Sequence, residues 1–261
     1  MIRQVPKKYT IIGGGRVARH MAHYFDLHKI SYESWSRDND SSVNTYSIKD
    51  AALRLQCALN QADMVLLLIK DDAIPELIQQ YPFLREKFLL HFSGALKVEG
   101  VVGCHPLMTF GDQLYALETY HNIPFVVDEG HEFRYLFPAL PNPSVNLSVE
   151  SKAYYHSLCV MAGNFAQTLW REVGMQFEQV LGIDQAFLFP YLKQNMLNFA
   201  ADPANSATGP IARGDVNTIQ KHLDVLKDNQ LEAIYKSFLN YSKHQDAMQQ
   251  TAREEVMYEY S

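Results

Sequence analysis

The feature that most constrains the fold is a glycine triplet between a strand-like and a helix-like segment near the start of the chain. Tyr9–Ile12 is a short run of β-branched and aromatic residues, which is typical of a buried strand. Gly13, Gly14 and Gly15 follow at once, and Arg16–Leu27 then has an amphipathic helical pattern. Because a helix start has free N–H groups, this turn predicts a site for an anionic group such as a phosphate.

The spacing within the turn is more specific than a glycine run alone. Gly13-x-Gly15-x-x-Ala18 fits the fingerprint of dinucleotide-binding turns. The first glycine permits the tight turn, the second lets the backbone approach the pyrophosphate, and the small third residue allows close packing of helix on strand. The predicted cofactor cradle comprises Gly13, Gly14, Gly15, Arg16 and Val17. The alternative is a plain glycine turn without a ligand.

Strand-like and helix-like segments alternate through the first half of the chain. Strands are predicted at 9–12, 30–35, 64–69, 88–92 and 101–104, with the last at 123–127. Helices are predicted at 16–27 and 51–60, and a further one opens at 71–75. This alternation predicts an α/β fold with a doubly wound parallel sheet of the Rossmann type.

The pattern changes after three prolines at 138–143, which indicate a linker. Beyond them the sequence predicts helices at 149–180, 185–199, 218–241 and 245–258. We therefore predict a nucleotide-binding domain over residues 1–145 and an all-helical domain over residues 146–261.

Composition excludes several classes of protein. The net charge of −6, with scattered basic residues, gives no electrostatic footprint for nucleic acid. The three cysteines include no C-x-x-C pair, so neither a disulfide framework nor a metal site is expected. The longest apolar run, 64–69, is too short to cross a bilayer, and no signal peptide is evident. We expect a cytoplasmic protein without a membrane partner.

The end of the second predicted strand distinguishes the two nicotinamide cofactors. An acidic residue there binds the ribose 2′-hydroxyl of NAD, whereas an arginine accommodates the 2′-phosphate of NADP. Here Ser36 and Arg37 occupy this point, and Asp38 comes one position late. The sequence therefore favours NADP(H) over NAD(H). The alternative is that Arg37 is an ordinary solvated loop charge.

Polar residues also follow the other predicted strands. In open α/β sheets, ligands bind outside the carboxyl ends of the strands. Lys70 and Asp71 are thus candidates for the cofactor rim, although Asp71 or Asp72 could instead cap the next helix. Ser93 and His105 are candidate substrate ligands by the same geometry. His105 could polarise a substrate or simply cap a loop.

Two segments of the helical part carry further polar candidates. Lys152 and His156 lie one turn apart on one helix face, and Asn164 follows two turns later on roughly that side. Such a row forms either a site or a solvated face. The block 208–215 predicts a shaped turn, in which Arg213 suits a carboxylate or phosphate. The alternative for this block is a purely structural turn.

Several motifs together resemble a little-characterised bacterial family. They are Gly13-x-Gly15-x-x-Ala18, His91-Phe92-Ser93-Gly94-Ala95, Cys104-His105-Pro106-Leu107-x-Thr109-Phe110, Tyr155-His156 with Asn164, and Thr208-Gly209-Pro210-Ile211-Ala212-Arg213-Gly214-Asp215. Members have a Rossmann-like domain followed by a helical domain of unknown function. The family is similar to the group with a 6-phosphogluconate-dehydrogenase-like C-terminal domain, which includes ketopantoate reductase, pyrroline-5-carboxylate reductase and the β-hydroxyacid dehydrogenases.

The resemblance implies an NAD(P)-dependent oxidoreductase that forms a homodimer through its helical domain. β-Hydroxyacid dehydrogenases place a catalytic lysine on the first long helix after the sheet, with an asparagine four residues later. Lys152 matches the lysine, and His156 stands in place of the asparagine. The resemblance thus implies Lys152 as general acid or base and His156 as the group that orients the substrate oxygen. Arg213 would bind a substrate carboxylate.

The leading hypothesis is a reductase or dehydrogenase. It would move a hydride between the nicotinamide and a small carbonyl, imine or hydroxy acid in a cleft between the two domains. The alternative is a non-catalytic NADP(H)-binding sensor or interaction protein, because a fold does not determine a function. A degenerate, empty nucleotide site is a third possibility, against which the intact Gly13, Gly15 and Ala18 argue.

Overall fold

The structure is a computed structural model that describes residues 8–37 and 48–244. The described residues form two compact units, which divide between Arg171 and Glu172. The first unit holds the sheet and the helices that cover it, and the second is helical. The domain boundary after residue 145 stays a prediction.

The sheet of the first unit has seven strands. They are β1 (Tyr9–Ile12), β2 (Tyr32–Trp35), β3 (Met64–Leu67), β4 (Phe88–His91), β5 (Val101–Pro106), β6 (Phe125–Asp128) and β7 (Ser144–Leu147). Their order is β2-β1-β3-β4-β5-β6-β7, and every pair is parallel except β5 with β6. From β1 the chain goes first to one side, to β2, and then to the other, to β3. The carboxyl ends of β1 and β3 are therefore the switch point at which open α/β sheets bind ligands.

Helices connect the strands and make up the second unit. They are α1 (Arg16–Leu27), α2 (Ile48–Leu59), α3 (Ala73–Gln80), α4 (Leu117–His121), α5 (Phe133–Leu136), α6 (Lys152–Cys159), α7 (Ala166–Gln179), α8 (Leu188–Ala201), α9 (Val216–Val225) and α10 (residues 231–244). Short 3₁₀ turns lie at Pro82–Glu86, Val149–Ser151 and Gln185–Phe187, and a π-helical segment, Val160–Phe165, joins α6 to α7. No helix among the described residues is long and apolar enough to cross a membrane.

Two apolar cores cover the two faces of the sheet. Successive strand residues point to opposite faces, so Ile11 belongs to one core cluster and Ile12 to the other. All four residues of β3 are buried, as expected for a central strand covered on both sides. The amphipathic α1 buries Ala18, Met21 and Phe25 against the first cluster. The predicted α/β fold with a helical C-terminal part is thus confirmed.

The edge of the sheet beyond β5 differs from the prediction. The sequence predicted 123–127 as the last strand and a wholly parallel sheet, whereas β6 reverses direction and β7 adds a further strand. The sequence did not predict β7, because it is an edge strand without a buried apolar run. Ser144, Val145 and Asn146 are all exposed.

The helical part follows the predicted segments with one break. The helix predicted at 218–241 is two helices, α9 and α10, because Asp228 has a φ of +63°, which a regular helix does not allow. The segment 149–180 is helical almost throughout, although its geometry changes at the π segment. The helix predicted at 245–258 and Asp38 lie outside the described residues.

Candidate functional site

The glycine turn has the geometry that its motif predicts. Gly13 has a φ of +140°, and a Cβ atom there would lie 2.2 Å from the carbonyl oxygen of Leu68. Its N–H donates to the carbonyl oxygen of Trp35 at 2.9 Å, which ties the turn to β2. Gly15 is the N-cap residue of α1, and a Cβ there would meet nothing within 4 Å. The turn therefore leaves open space in front of the helix N-terminus, where a pyrophosphate would approach.

A cleft of about 140 Å³ begins at this turn. Its walls include Gly13, Gly14, Ser36 and Arg37, together with residues of α3. A Cβ on Gly14 would lie 3.8 Å from the Ser36 hydroxyl oxygen, so the two loops are close together. A hydroxyl and an exposed guanidinium at one end of a phosphate cradle fit a second phosphate group. The residues present thus fit a phosphorylated dinucleotide.

Arg16 and Val17 are the first two residues of α1, and both side chains contact other parts of the protein. The Arg16 Nε donates to Asp112 Oδ1 at 2.8 Å in an exposed ion pair. Val17 is half-buried and packs against the first core cluster. What these residues offer a cofactor is therefore their backbone N–H groups, which lack acceptors within the first helical turn.

Asp71 and Ser93 connect the ends of β3 and β4. The Ser93 hydroxyl donates to Asp71 Oδ2 at 2.5 Å and accepts the N–H of Leu96 at 3.0 Å. Asp72 occupies the N-cap position of α3 but makes no side-chain hydrogen bond to the helix. Lys70 is exposed beside them. Asp71 therefore orients the Ser93 hydroxyl, and the cofactor-rim role of Lys70 and Asp71 stays a prediction.

Lys152 is buried, with 4% of its surface exposed. Its Nζ donates to Asp128 Oδ1 at 2.8 Å, and the N–H of Gly103 donates to Asp128 Oδ2 at 2.7 Å. Asp128 was not among the predicted site residues. Gly103 could have indicated such a residue, because a glycine inside a strand often means that another group approaches the backbone closely.

A histidine–tyrosine group lies beside this pair. His105 Nδ1 is 2.8 Å from the Tyr155 hydroxyl, and the His105 and His156 rings lie edge to face with centroids 5.8 Å apart. A Cβ on Gly94 would lie 2.4 Å from His156 Cδ2, so only a glycine permits this contact. The structure thus brings Ser93, His105, Lys152 and His156 together from three separate segments.

His91 completes the group and was not among the predicted site residues. It is fully buried, and the N–H of Ser93 donates to its Nδ1 at 3.2 Å. Its Nε2 has no hydrogen-bond partner among the described residues. Burial, and next Lys152, lower the pKa of His91 to about 4. Burial, then His156 and Lys152, lower the pKa of His105 to about 4 as well, so both rings are neutral at pH 7.

The lowered pKa of His91 predicts a loss of stability in acid. The unfolded chain binds a proton near pH 6.5 and the folded chain only near pH 4, so unfolding is favoured as the pH falls through this interval. The slope is at most about 1.4 kcal/mol per pH unit. His91→Gln should therefore reduce the stability lost between about pH 7 and pH 5 by about 2 kcal/mol. Urea unfolding at both pH values measures this, and an unchanged difference would contradict it.

Asn164 and Arg213 are both exposed, each within its own unit. Asn164 is exposed within the π segment, whose wider turn rotates the residues after it relative to α6. Arg213 is exposed in the second unit and donates to the carbonyl oxygen of Thr208, while Asp215 caps α9 through the N–H of Thr218 at 3.1 Å. These bonds favour the structural alternative for the turn, and the substrate roles of Asn164 and Arg213 stay predictions.

Within residues 8–37 and 48–244, no group of three or more histidine, cysteine or acidic side chains is arranged to hold a metal ion. The candidate site comprises the glycine cradle and the buried polar group around Lys152.

Comparisons with known proteins agree with this architecture. Residues 131–241 match a family model described as a domain of unknown function (DUF2520). No curated protein matches the chain.

Solved structures match over most of the chain. A Bacteroides fragilis protein, named as a proposed NADP oxidoreductase, is 19% identical with a TM-score of 0.68, covering 90% of this chain and 97% of its own. A Thermotoga maritima protein is 20% identical with a TM-score of 0.65 and the same coverage. A reductive aminase from Aspergillus terreus, solved with NADPH and ethyl levulinate, is 14% identical with a TM-score of 0.59, covering 93% and 95%. At these identities, the likeness shows the fold alone.

Proposed function

We propose that this protein is an NADP(H)-dependent oxidoreductase that acts on a small carbonyl, imine or hydroxy acid. The observation that carries the proposal is the glycine cradle. Gly13 must be glycine for steric reasons, and the space in front of Gly15 is kept open at a helix N-terminus. Ser36 and Arg37 line the cleft that starts there. The shared fold with NADP-linked reductases supports the same function.

When bound, NADPH supplies the hydride. The chain's own residues bind the cofactor and prepare the substrate. The backbone of the cradle holds the pyrophosphate, and Ser36 and Arg37 hold the 2′-phosphate. Lys152 and His156 act as the catalytic groups, which contact the reacting oxygen or nitrogen. The proposed substrate-binding residues are Ser93, His105, Asn164 and Arg213.

Arg37→Ala tests the cofactor preference. Removing a charge-assisted hydrogen bond to the 2′-phosphate should weaken NADPH binding about tenfold to a hundredfold and leave NADH binding nearly unchanged. Titration followed by nicotinamide fluorescence measures both affinities. Arg134→Ala is the matched control, because Arg134 is also an exposed arginine and pairs with Glu132. An equal loss for both cofactors would show that Arg37 does not recognise the 2′-phosphate.

The activity itself is tested by loss of nicotinamide absorbance. Purified protein with NADPH is offered a panel of small oxo acids, ketones and imines, and NADP⁺ is offered the matching hydroxy acids. Turnover of any member supports an oxidoreductase. Tight NADPH binding without turnover across the panel would overturn the proposal in favour of a sensor.

We also propose that a second copy of the chain covers the helical unit. Among its described residues only Gly174 and Leu239 are buried, and α8 has none. Large apolar side chains on and beside α8 are instead exposed: Phe187, Phe189, Tyr191, Met196, Leu197 and Phe199. Large apolar side chains exposed in this number are typical of a protein interface. This supports the homodimer that the family resemblance implies.

A further inference from the structure

The buried ion pair lies in a space that the sheet makes for it. Strands β4 and β5 pair His91 with Gly103, and the bond between Gly103 and Asp128 extends the row to β6. Residues in register on neighbouring strands point to the same face. A Cβ on Gly103 would lie 2.0 Å from Lys152 Nζ and 2.7 Å from Asp128 Oδ1. The ammonium therefore occupies the place of the side chain that Gly103 lacks.

The charges in this space balance. Both carboxylate oxygens of Asp128 are used, one by Lys152 and one by the Gly103 N–H. The two charged side chains are 5% and 13% exposed. A buried ammonium is strongly disfavoured without a counter-charge, and here the carboxylate supplies one.

The other titratable groups do not compete for this pair. Among the described residues, His91 on β4 and Cys104 and His105 on β5 interact electrostatically with Lys152. Burial favours the neutral form of each. His156 and Tyr155 lie beside them on α6, and Asp71 is engaged by Ser93. Asp128 is thus the carboxylate in direct contact with the ammonium.

We propose that Asp128 is the positioning residue of the site. Together with the Gly103 backbone it fixes the place of the Lys152 Nζ, from which Nζ donates a hydrogen bond to the reacting oxygen or nitrogen of the substrate. This inference rests on the proposed function for its catalytic meaning, but the place of the Lys152 Nζ can be tested without any substrate.

The direct test is NMR of protein labelled with ¹³C at the lysine Cε, with Lys152→Met used to assign the signal. In Asp128→Asn, at neutral pH, the Lys152 signal should move away from its wild-type chemical shift, because Nζ loses its carboxylate partner. Asp128→Glu should restore the wild-type signal at least in part. A Lys152 signal at the same chemical shift with and without the Asp128 carboxylate would overturn the proposal.

Gly103→Ala is the second variant in case Asp128→Asn does not fold. It removes no charge, but its methyl group would overlap both Nζ and the Asp128 carboxylate, so the pair cannot keep its place. The Lys152 signal should again move away from its wild-type chemical shift. A folded Gly103→Ala protein whose Lys152 signal matches the wild type would contradict the proposal.

Turnover gives a readout that a structural role alone would not change. If the proposed reaction is found, Asp128→Asn should lower kcat about a hundredfold with little change in KM, because the Lys152 Nζ is no longer held at the reacting atom. Asp128→Glu should restore part of the lost kcat. Absence of NADPH binding and turnover in the wild type would refute the proposed function and leave the NMR result standing. Wild-type turnover with an unchanged kcat in Asp128→Asn would refute the positioning role alone.

Discussion

Gly13→Ala is expected to lower the free energy of unfolding by about 4 kcal/mol and to abolish NADPH binding. The added Cβ would lie 2.2 Å from the Leu68 carbonyl oxygen, and this is a backbone atom that no side-chain rotation can move. The φ of +140° is also one that an L-residue with a side chain rarely adopts. Steric overlap and backbone strain therefore act together at the switch point of the sheet.

Gly15→Ala is the matched comparison for Gly13→Ala, since both add one methyl group to the same turn. A Cβ on Gly15 meets nothing within 4 Å, and its φ is −74°, so we expect a stability cost below about 1 kcal/mol. The methyl group would nevertheless enter the space through which, in the proposed function, the pyrophosphate approaches. NADPH affinity should fall at least about tenfold while the protein stays folded.

Urea unfolding and fluorescence titration of the two variants separate the roles of the two glycines. A Gly13→Ala protein as stable as the wild type would show that the turn is not sterically closed. A Gly15→Ala protein that binds NADPH as tightly as the wild type would show that the open space is not the pyrophosphate site.

Lys152→Met should reduce turnover by at least about a hundredfold and lower the free energy of unfolding by about 3–5 kcal/mol. The catalytic loss is expected because, in the proposed function, Lys152 contacts the substrate. The stability loss follows because the Asp128 carboxylate stays buried without its cation. Under conditions in which the variant is folded, NADPH binding should be nearly unchanged, because Lys152 takes no part in the cradle.

Two controls accompany this variant. Lys97→Met removes an exposed lysine that lies 3.5 Å from Glu150, and it should cost less than about 1 kcal/mol. The double variant Lys152→Met with Asp128→Asn should regain much of the lost stability, since it leaves no buried charge, but not the turnover. Full turnover in Lys152→Met would exclude Lys152 from catalysis. Unchanged stability would show that the pair is not buried in solution.

The first half of the fold was predictable because its signals are local. A β-branched run, a glycine fingerprint and an amphipathic segment each depend on residues adjacent in sequence, and β1 and α1 lie where they were predicted. The sheet edge was not predictable in this way. β7 is exposed and lacks an apolar run, and the reversal at β6 depends on which neighbour it pairs with.

The residues of the polar site also divide into those that the sequence predicted and those that it did not. Lys152 and His156 were predicted from their spacing on one helix and from a family resemblance, and the structure places both beside His105. Asp128 and His91 were not predicted. His91 lies within the predicted strand 88–92, and Asp128 becomes a candidate only once its contact with Lys152 is known. Lys152 acquires its counter-charge from a residue 24 positions away in sequence.

The sequence by itself therefore determined the strand–turn–helix unit, the α/β class and the residue types available for phosphate recognition, because these follow from short-range periodicity and from the conformational needs of glycine. The tertiary structure alone decided that Gly103 leaves a space between His91 and Asp128 and that the Lys152 ammonium occupies it. The physical reason is that a buried charge depends on what surrounds it in space, and strands β4, β5 and β6 assemble those surroundings from distant parts of the chain.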